Sequence, residues 1–441
     1  MGNAVSMPLH ALNRLRRTRF ARNVAVVATG SAGAQVITMA FAPLITRIYG
    51  PEAFGLLGTF MAVVAVAIPV SALAYPIAIV LPRDDHDALG LVRLSFILSF
   101  AIALLVTVAL WAGGDRLTVI LGAQSVAGFL FLIPAAMLFA AGREIVQQWL
   151  IRKKEFGIVA RSAIAHSLIL NSAKIGIGWL HPVGAVLIVL ATLGHALHAA
   201  LLFLGARRRF VSSVAEQKQG PRTTLRELAH RHRDFPLYRA PQNFVNAASQ
   251  SLPVLMLAAF FGPAAAGFYA LGRVVMGMPA TMISQSVGQV FYPRIVEASH
   301  RGEGLTNLIM KATLTLSAVG IFPFAAVVAF GPWLFGLVFG SEWVQAGQYA
   351  RWIALWLFVV FVNNPSIMAL PVLQAQRFHL IYTVFTIMIR ALVLVIGSYI
   401  FESDLVAVAL FGVSGALLNL FLIGIVLFLS RRYDRRTLLG V

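Results

Sequence analysis

Tyr49-Gly50-Pro51-Glu52-Ala53-Phe54-Gly55 stands between two long apolar stretches, 24–44 and 54–81. At an offset of 212, Phe261-Gly262-Pro263-Ala264-Ala265-Ala266-Gly267 stands between two more, 239–261 and 264–292. Proline directly after a glycine is a helix-start signal, because its missing N–H is one that the first turn leaves unpaired anyway. Each turn therefore closes one helix and opens the next. At the far end of the second helix of each pair, Pro82-Arg83 is answered by Pro293-Arg294, at an offset of 211. A third echo sets Ala127-Gly128 against Ala346-Gly347, at an offset of 219. The chain reads as two copies of one unit.

The flanking stretches fix the solvent. A spanning helix needs about 20 mostly apolar residues, and the runs beside both turns satisfy this. Across all 441 residues, 59% are hydrophobic and 12% charged, with a mean hydropathy of +0.84. Soluble domains hold roughly 45–50% apolar and about 25% charged residues, so the chain belongs in a bilayer. Runs this long exclude a membrane β-barrel, whose strands alternate over about 10 residues. The remaining runs are 90–112, 117–141, 157–179, 183–204, 306–330, 346–371, 376–400 and 404–429. The expected fold is an all-α membrane protein with 12 transmembrane helices in two six-helix repeats. Six is even, so the repeats are parallel, a transporter design in which the substrate path lies at the repeat interface. The expected organisation is a basic tail at 1–23, an N-terminal lobe at 24–204, a linker at 205–238, a C-terminal lobe at 239–429 and a second basic tail at 430–441.

Lys and Arg fall on one side: 27 lie in the tails, the 205–239 segment and the loops on the same face, against two opposite, Arg47 and Arg116. The positive-inside rule then makes both termini cytoplasmic. It also accounts for most of the net charge of +19 without nucleic acid, since anionic inner-leaflet lipids are sufficient partners. Trp111, Trp179, Trp333 and Trp343 sit at outer span ends, where an interfacial belt would be. The 205–239 segment reads as a solvated linker with a surface-lying helix. The stretch after the N-terminal arginines is longer than a signal-peptide core and reads as a retained first helix. With no cysteine, disulfides and thiolate chemistry are excluded.

No Asp or Glu falls well inside a span as drawn. The charges that do are all basic: Arg161, Lys174, Arg273, Lys311, Arg351 and Arg390. A charge at the bilayer centre costs from about 3 to above 10 kcal/mol, so it faces a cavity or a partner. Arg161, Lys311 and Arg351 lie near span ends and can snorkel to the headgroups. Lys174, near the outer end of the fifth span, fits either reading. Arg273 and Arg390 lie 9 and 14 residues into their spans, in the middle third of the membrane. With no buried carboxylate to pair them, an anionic ligand is the expected partner.

Polar stripes run beside them: Ser31, Gln35 and Thr38 in the first span, and Gln242, Asn246 and Ser249 in the seventh. Another follows Arg273 through Gly277, Thr281 and Ser284, and a fourth joins Thr383 and Thr386 to Arg390. Such residues often glue helices together, yet they are also the donors and acceptors that sugar hydroxyls require. His166, His195 and His198 lie in or near spans, where packing is the more ordinary role and protonation the alternative. Asp84-Asp85-His86-Asp87 reads as a helix cap in a solvated turn and not as a metal site. No phosphate-binding Gly-rich loop occurs, so neither a built-in ATPase nor a cofactor is expected.

Thr46-Arg47-Ile48-Tyr49-Gly50-Pro51-Glu52-Ala53-Phe54-Gly55 resembles the helix 1–2 signature of polysaccharide transporters. So do Gly267 to Arg273 leading to Tyr292-Pro293, and Phe339-Gly340-Ser341-Glu342-Trp343 leading to Ala346-Gly347. The chain is similar, over residues 20–430, to O-antigen or exopolysaccharide flippases of the multidrug/oligosaccharidyl-lipid/polysaccharide exporter superfamily. The resemblance implies a MATE-like two-lobed fold in the bacterial inner membrane. It also implies a cargo of undecaprenyl-pyrophosphate-linked oligosaccharide, and polymerase and chain-length proteins as partners. Arg273, Arg390, Lys174 and Arg47 are then the expected anion contacts, with Gln35, Asn246 and Thr281 facing sugar. Arg47 enters through the turn motif that carries the resemblance. The competing readings are a multidrug or cation exporter, disfavoured by the missing buried carboxylates, and a polymerase or ligase, disfavoured by the short outer loops.

Overall fold

A computed structural model describes the backbone of residues 9–120, 124–216 and 223–439. Side chains are described there except for 9–25, 115, 117–120, 208–216, 279, 281–290 and 436–439. Twelve long helices account for most of the described chain, and among the described residues there is no strand. They are α1 (Leu9–Ile48), α2 (Pro51–Ser71), α3 (Asp85–Ile120), α4 (Leu132–Arg152), α5 (Phe156–Leu180) and α6 (Gly184–Glu216). A second set follows: α7 (Ala240–Phe261), α8 (Pro263–His300), α9 (Leu305–Phe339), α10 (Val344–Val362), α11 (Gln376–Tyr399) and α12 (Asp404–Leu439). Among the described residues, nine helical stretches are long and apolar enough to cross a membrane; α4, α5 and α8 are not among them. The all-α, twelve-helix expectation holds.

The fourth span is corrected. The apolar run 117–141 is divided between the end of α3, a short 3-10 turn (Gln124–Phe129) and α4, which continues to Arg152. Gly113, at φ −157°, interrupts α3. Arg143-Glu144, expected in a loop, therefore lie within α4, both half-buried. A helix can hold them because Arg143 Nη1 donates to Gln147 Oε1, one turn on, at 3.0 Å, and Glu144 offsets the arginine's charge. Glu144 thus lies in a helix and not in a loop, beyond the span drawn at 117–141.

The chain divides into two compact units. The first comprises Met1–Ile45, Val63–Ile120 and Val126–Ala248; the second comprises Thr46–Ala62, Leu121–Ser125 and Ser249–Val441. The first has a core of Tyr75, Ile79, Leu91, Ile145 and Trp149, and the linker joins it. The short helix Leu225–Arg231 begins with an N-cap, at which Thr224 Oγ1 accepts a hydrogen bond from Glu227 N at 3.2 Å. Its Leu228 is 0% exposed and lies where Gly90 leaves no space for a side chain. Tyr75 Oη donates to Ala229 O at 3.1 Å, and Arg231 pairs with Asp87 at 2.9 Å. The expected surface-lying helix is thus anchored on the unit by Leu228. Asp85 is held by Arg152 at 3.0 Å and by Lys153, which closes the turn before α3.

The second unit explains the repeated turn. Gly55 packs on the carbonyl of Pro263, and Gly267 packs on the carbonyl of Pro51, each so closely that a Cβ could not fit. The two copies of Gly-Pro-x-x-x-Gly therefore clasp each other reciprocally. Gly262, at φ +85°, adopts a left-handed backbone that side chains disfavour. Nearby, Trp343 is 1% exposed, donates Nε1 to Thr46 O at 3.1 Å and meets the Phe54 ring edge-on at 5.1 Å. It is a core residue, whereas Trp111, Trp179 and Trp333 are 82%, 81% and 64% exposed, as belt residues are. Helices α9 and α10 cross closely, because a Cβ on Gly331 would come within 2.7 Å of Gly347 O. Small residues at helix crossings substitute close packing for the hydrophobic drive that lipid does not supply.

A candidate anion site in the second unit

Arg273 sits ten residues into α8, on the side of that helix that meets α7. Its Nη1 donates to Gln250 O and its Nη2 to Gln250 Oε1 at 2.6 Å. The guanidinium is thereby oriented by α7, and the interaction leaves its charge unneutralised because Gln250 is neutral.

Arg390, on α11, has a different environment. Its Cζ lies 3.9 Å from the centroid of the Trp356 ring of α10 and 3.7 Å from that of Phe411 of α12. The two rings stand 5.5 Å apart at 76°, so the guanidinium occupies the crease between them. Gly415 makes room for the indole, since a Cβ there would lie 2.8 Å from Trp356 Cδ1. Nε and Nη2 of Arg390 are buried and have no hydrogen-bond partner among the described residues. Each cation–π contact is worth about 0.5–2 kcal/mol, whereas an uncompensated buried charge costs several kcal/mol. The aromatic rings alone do not balance it. Tyr269, 0% exposed, lies within electrostatic reach of both arginines and meets Phe411 at 6.3 Å between ring centroids.

The other expected residues are dispersed. Arg47 donates Nη2 to Leu337 O at 3.0 Å and Val338 O at 3.4 Å, which ties it to the C-terminal carbonyls of α9. Gln35 on α1 has a buried Oε1 without a partner among the described residues. One turn on, Thr38 Oγ1 lies 2.9 Å from Ser167 Oγ, and Asn171 Nδ2 donates to Ser167 O at 2.7 Å, so this part of the stripe joins α1 to α5. Lys174 is half-buried on α5, and Asn246 is exposed on α7. Thr281 has its backbone in α8, but its side chain lies outside the described residues. Gln35, Lys174 and Asn246 belong to the first unit, and Arg47, Arg273, Thr281 and Arg390 to the second.

Also in the first unit, the His166 and His198 rings stack at 4.6 Å and 15°, and the Nε2 atoms of His195 and His198 are buried without partners among the described residues. Tyr269, Trp356 and Phe411 were not singled out by sequence reasoning. The available signal was Trp356 itself, a tryptophan twelve residues into α10, away from the span ends where tryptophan concentrates.

A family model described as polysaccharide biosynthesis protein matches residues 44–348. The succinoglycan biosynthesis transport protein ExoT of Rhizobium meliloti (strain 1021) is 24% identical over 339 residues. That alignment covers 74% of this chain and 63% of the relative, so the chain spans under two thirds of the relative's length. Among solved structures, an inward-facing multidrug resistance MATE family transporter of the MOP superfamily aligns with a TM-score of 0.63 at 14% identity, covering 91% of this chain and 95% of that one. A MOP superfamily transporter from Pyrococcus furiosus aligns at 0.59 and 14% identity, covering 94% and 96%. These likenesses carry the fold: two six-helix repeats of the MATE type.

Proposed function

The chain belongs to the polysaccharide biosynthesis protein family, and from that premise we propose that it is a flippase. Its cargo is a polyprenyl-pyrophosphate-linked oligosaccharide, moved by alternating access across the bacterial inner membrane to supply surface polysaccharide. The observation that carries this reading is Arg390, a mid-span cation in an aromatic crease, with buried donors that find no acceptor among the described residues. A pyrophosphate headgroup supplies the missing acceptors and the missing negative charge, and its charge-assisted hydrogen bonds are the strong kind. Arg273, oriented by Gln250, is the second cation.

Lys174 serves the outer mouth, and Gln35, Asn246 and Thr281 face the sugars. Arg47, already engaged with α9, supports the turn and through it the site. The basic loops and tails lie against the anionic cytoplasmic leaflet, and polymerase and chain-length proteins take up the translocated unit. Glu144 is an acidic residue of the kind a cation exporter would use, but it lies beside Arg143, whose charge it offsets.

Arg273→Ala and Arg390→Ala are tested in a strain deleted for this gene, at matched membrane levels. Each is expected to reduce surface polysaccharide at least tenfold while lipid-linked units accumulate inside, as loss of a charge-assisted contact of about 1.5–3 kcal/mol requires. Normal polymer from both variants would remove the anion-site assignment, and normal polymer from the deletion itself would remove the flippase reading.

A further inference from the structure

Among the buried polar atoms of the second unit that find no hydrogen-bond partner among the described residues, four donors belong to one cluster of side chains: Tyr269 Oη, Trp356 Nε1, Arg390 Nε and Arg390 Nη2. They come from α8, α10 and α11. The cluster is continuous, because the Arg390 guanidinium lies against the Trp356 and Phe411 rings and Tyr269 meets Phe411. Buried polar atoms are ordinarily satisfied, so four orphans in one place call for an explanation. The indole and guanidinium nitrogens donate and cannot accept, and the phenol can donate. A water molecule serves two such donors at most. A phosphoryl group, with several oxygen atoms that accept, can take more of these donors than a water can. Packing fixes their positions: Phe411 and Trp356 hold the guanidinium, and Gly415 admits the indole.

We propose that Tyr269, Trp356 and Arg390 form a preorganised site for a single phosphoryl group, with Tyr269 Oη and Trp356 Nε1 as direct contacts. This rests on the flippase reading only for the identity of the occupant. A lipid-borne pyrophosphate and an anionic phospholipid headgroup share the phosphoryl chemistry.

The test is calorimetric titration of inorganic pyrophosphate into the full-length protein in phosphatidylcholine nanodiscs. Tyr269→Phe and Trp356→Phe each keep the ring and remove one donor, and each is expected to weaken binding about tenfold. Trp352→Phe, one turn away on α10, is expected to bind as the parent does. Parent-like affinity in both donor variants would overturn the proposal, as would an equal loss in Trp352→Phe or a parent protein that does not bind pyrophosphate. Nanodiscs containing phosphatidylglycerol distinguish the sources. Competition by that lipid assigns the site to headgroups, whereas competition by polyprenyl pyrophosphate alone assigns it to cargo. If pyrophosphate binds through these donors but gene deletion spares the polymer, the oxyanion site stands and the flippase reading falls. If deletion abolishes polymer while both donor variants bind normally, the reverse holds.

Discussion

Arg273 and Arg390 carry the same charge but are held differently, and the difference predicts different responses to lysine. Arg273 bridges the carbonyl and the side-chain oxygen of one glutamine, a geometry that suits a planar fork better than a single ammonium. Arg273→Lys is expected to lower transport about tenfold at unchanged protein level, measured as accumulated lipid-linked units. Transport equal to the parent would show that charge alone suffices there. Both arginines stand out in the sequence, because charge inside an apolar run is conspicuous. The aromatic crease was not, because tryptophan, tyrosine and phenylalanine are ordinary in such runs and their meeting depends on three helices packing. Thr38 and Gln35 make the converse point: spacing put them on one stripe, and packing gave Thr38 to Ser167 while leaving Gln35 Oε1 unpaired among the described residues.

Among elements, the clasped turns are the most constrained. Gly55→Val or Gly267→Val forces side-chain atoms into the facing proline carbonyl, and overpacking of this kind costs about 1–3 kcal/mol or more. Each variant is expected to lose most of the folded membrane fraction, measured by size-exclusion profile in detergent; parent-like profiles would refute the reciprocal packing. The linker helix offers a milder test. Leu228→Ala removes its buried anchor, at a cost of about 2–5 kcal/mol for a core leucine. Faster proteolysis around residues 217–233 is expected, and unchanged cleavage would mean the helix is not held by its docked face. The twelve helices were readable because hydropathy sets them. The fourth was misplaced because Arg143 and Glu144 resemble a loop when seen as letters, while in three dimensions Gln147 answers Arg143 one turn away. Trp343 was misread for a related reason: span-end position suggests a belt, and only packing shows a buried donor to Thr46 O.

For the whole molecule, charge placement predicts direction. The chain has no cysteine, so single substitutions report topology without interference. In spheroplasts, a membrane-impermeant maleimide is expected to label His181→Cys and to spare Arg226→Cys until the cells are opened; both positions are exposed. The inverted pattern would reverse the assignment of both termini. The chain belongs to the polysaccharide biosynthesis protein family and has the MATE-type fold, and transport of a lipid-linked cargo is what we propose from the chemistry of the cationic site. The most direct test is reconstitution of the purified protein in proteoliposomes with a fluorescent polyprenyl-pyrophosphate oligosaccharide, following its protection from an external glycosidase or quencher. Transfer between leaflets that requires the protein and falls at least tenfold in Arg390→Ala is the predicted result. Transfer no faster than in protein-free liposomes, with the protein folded and correctly inserted, would contradict the flippase assignment.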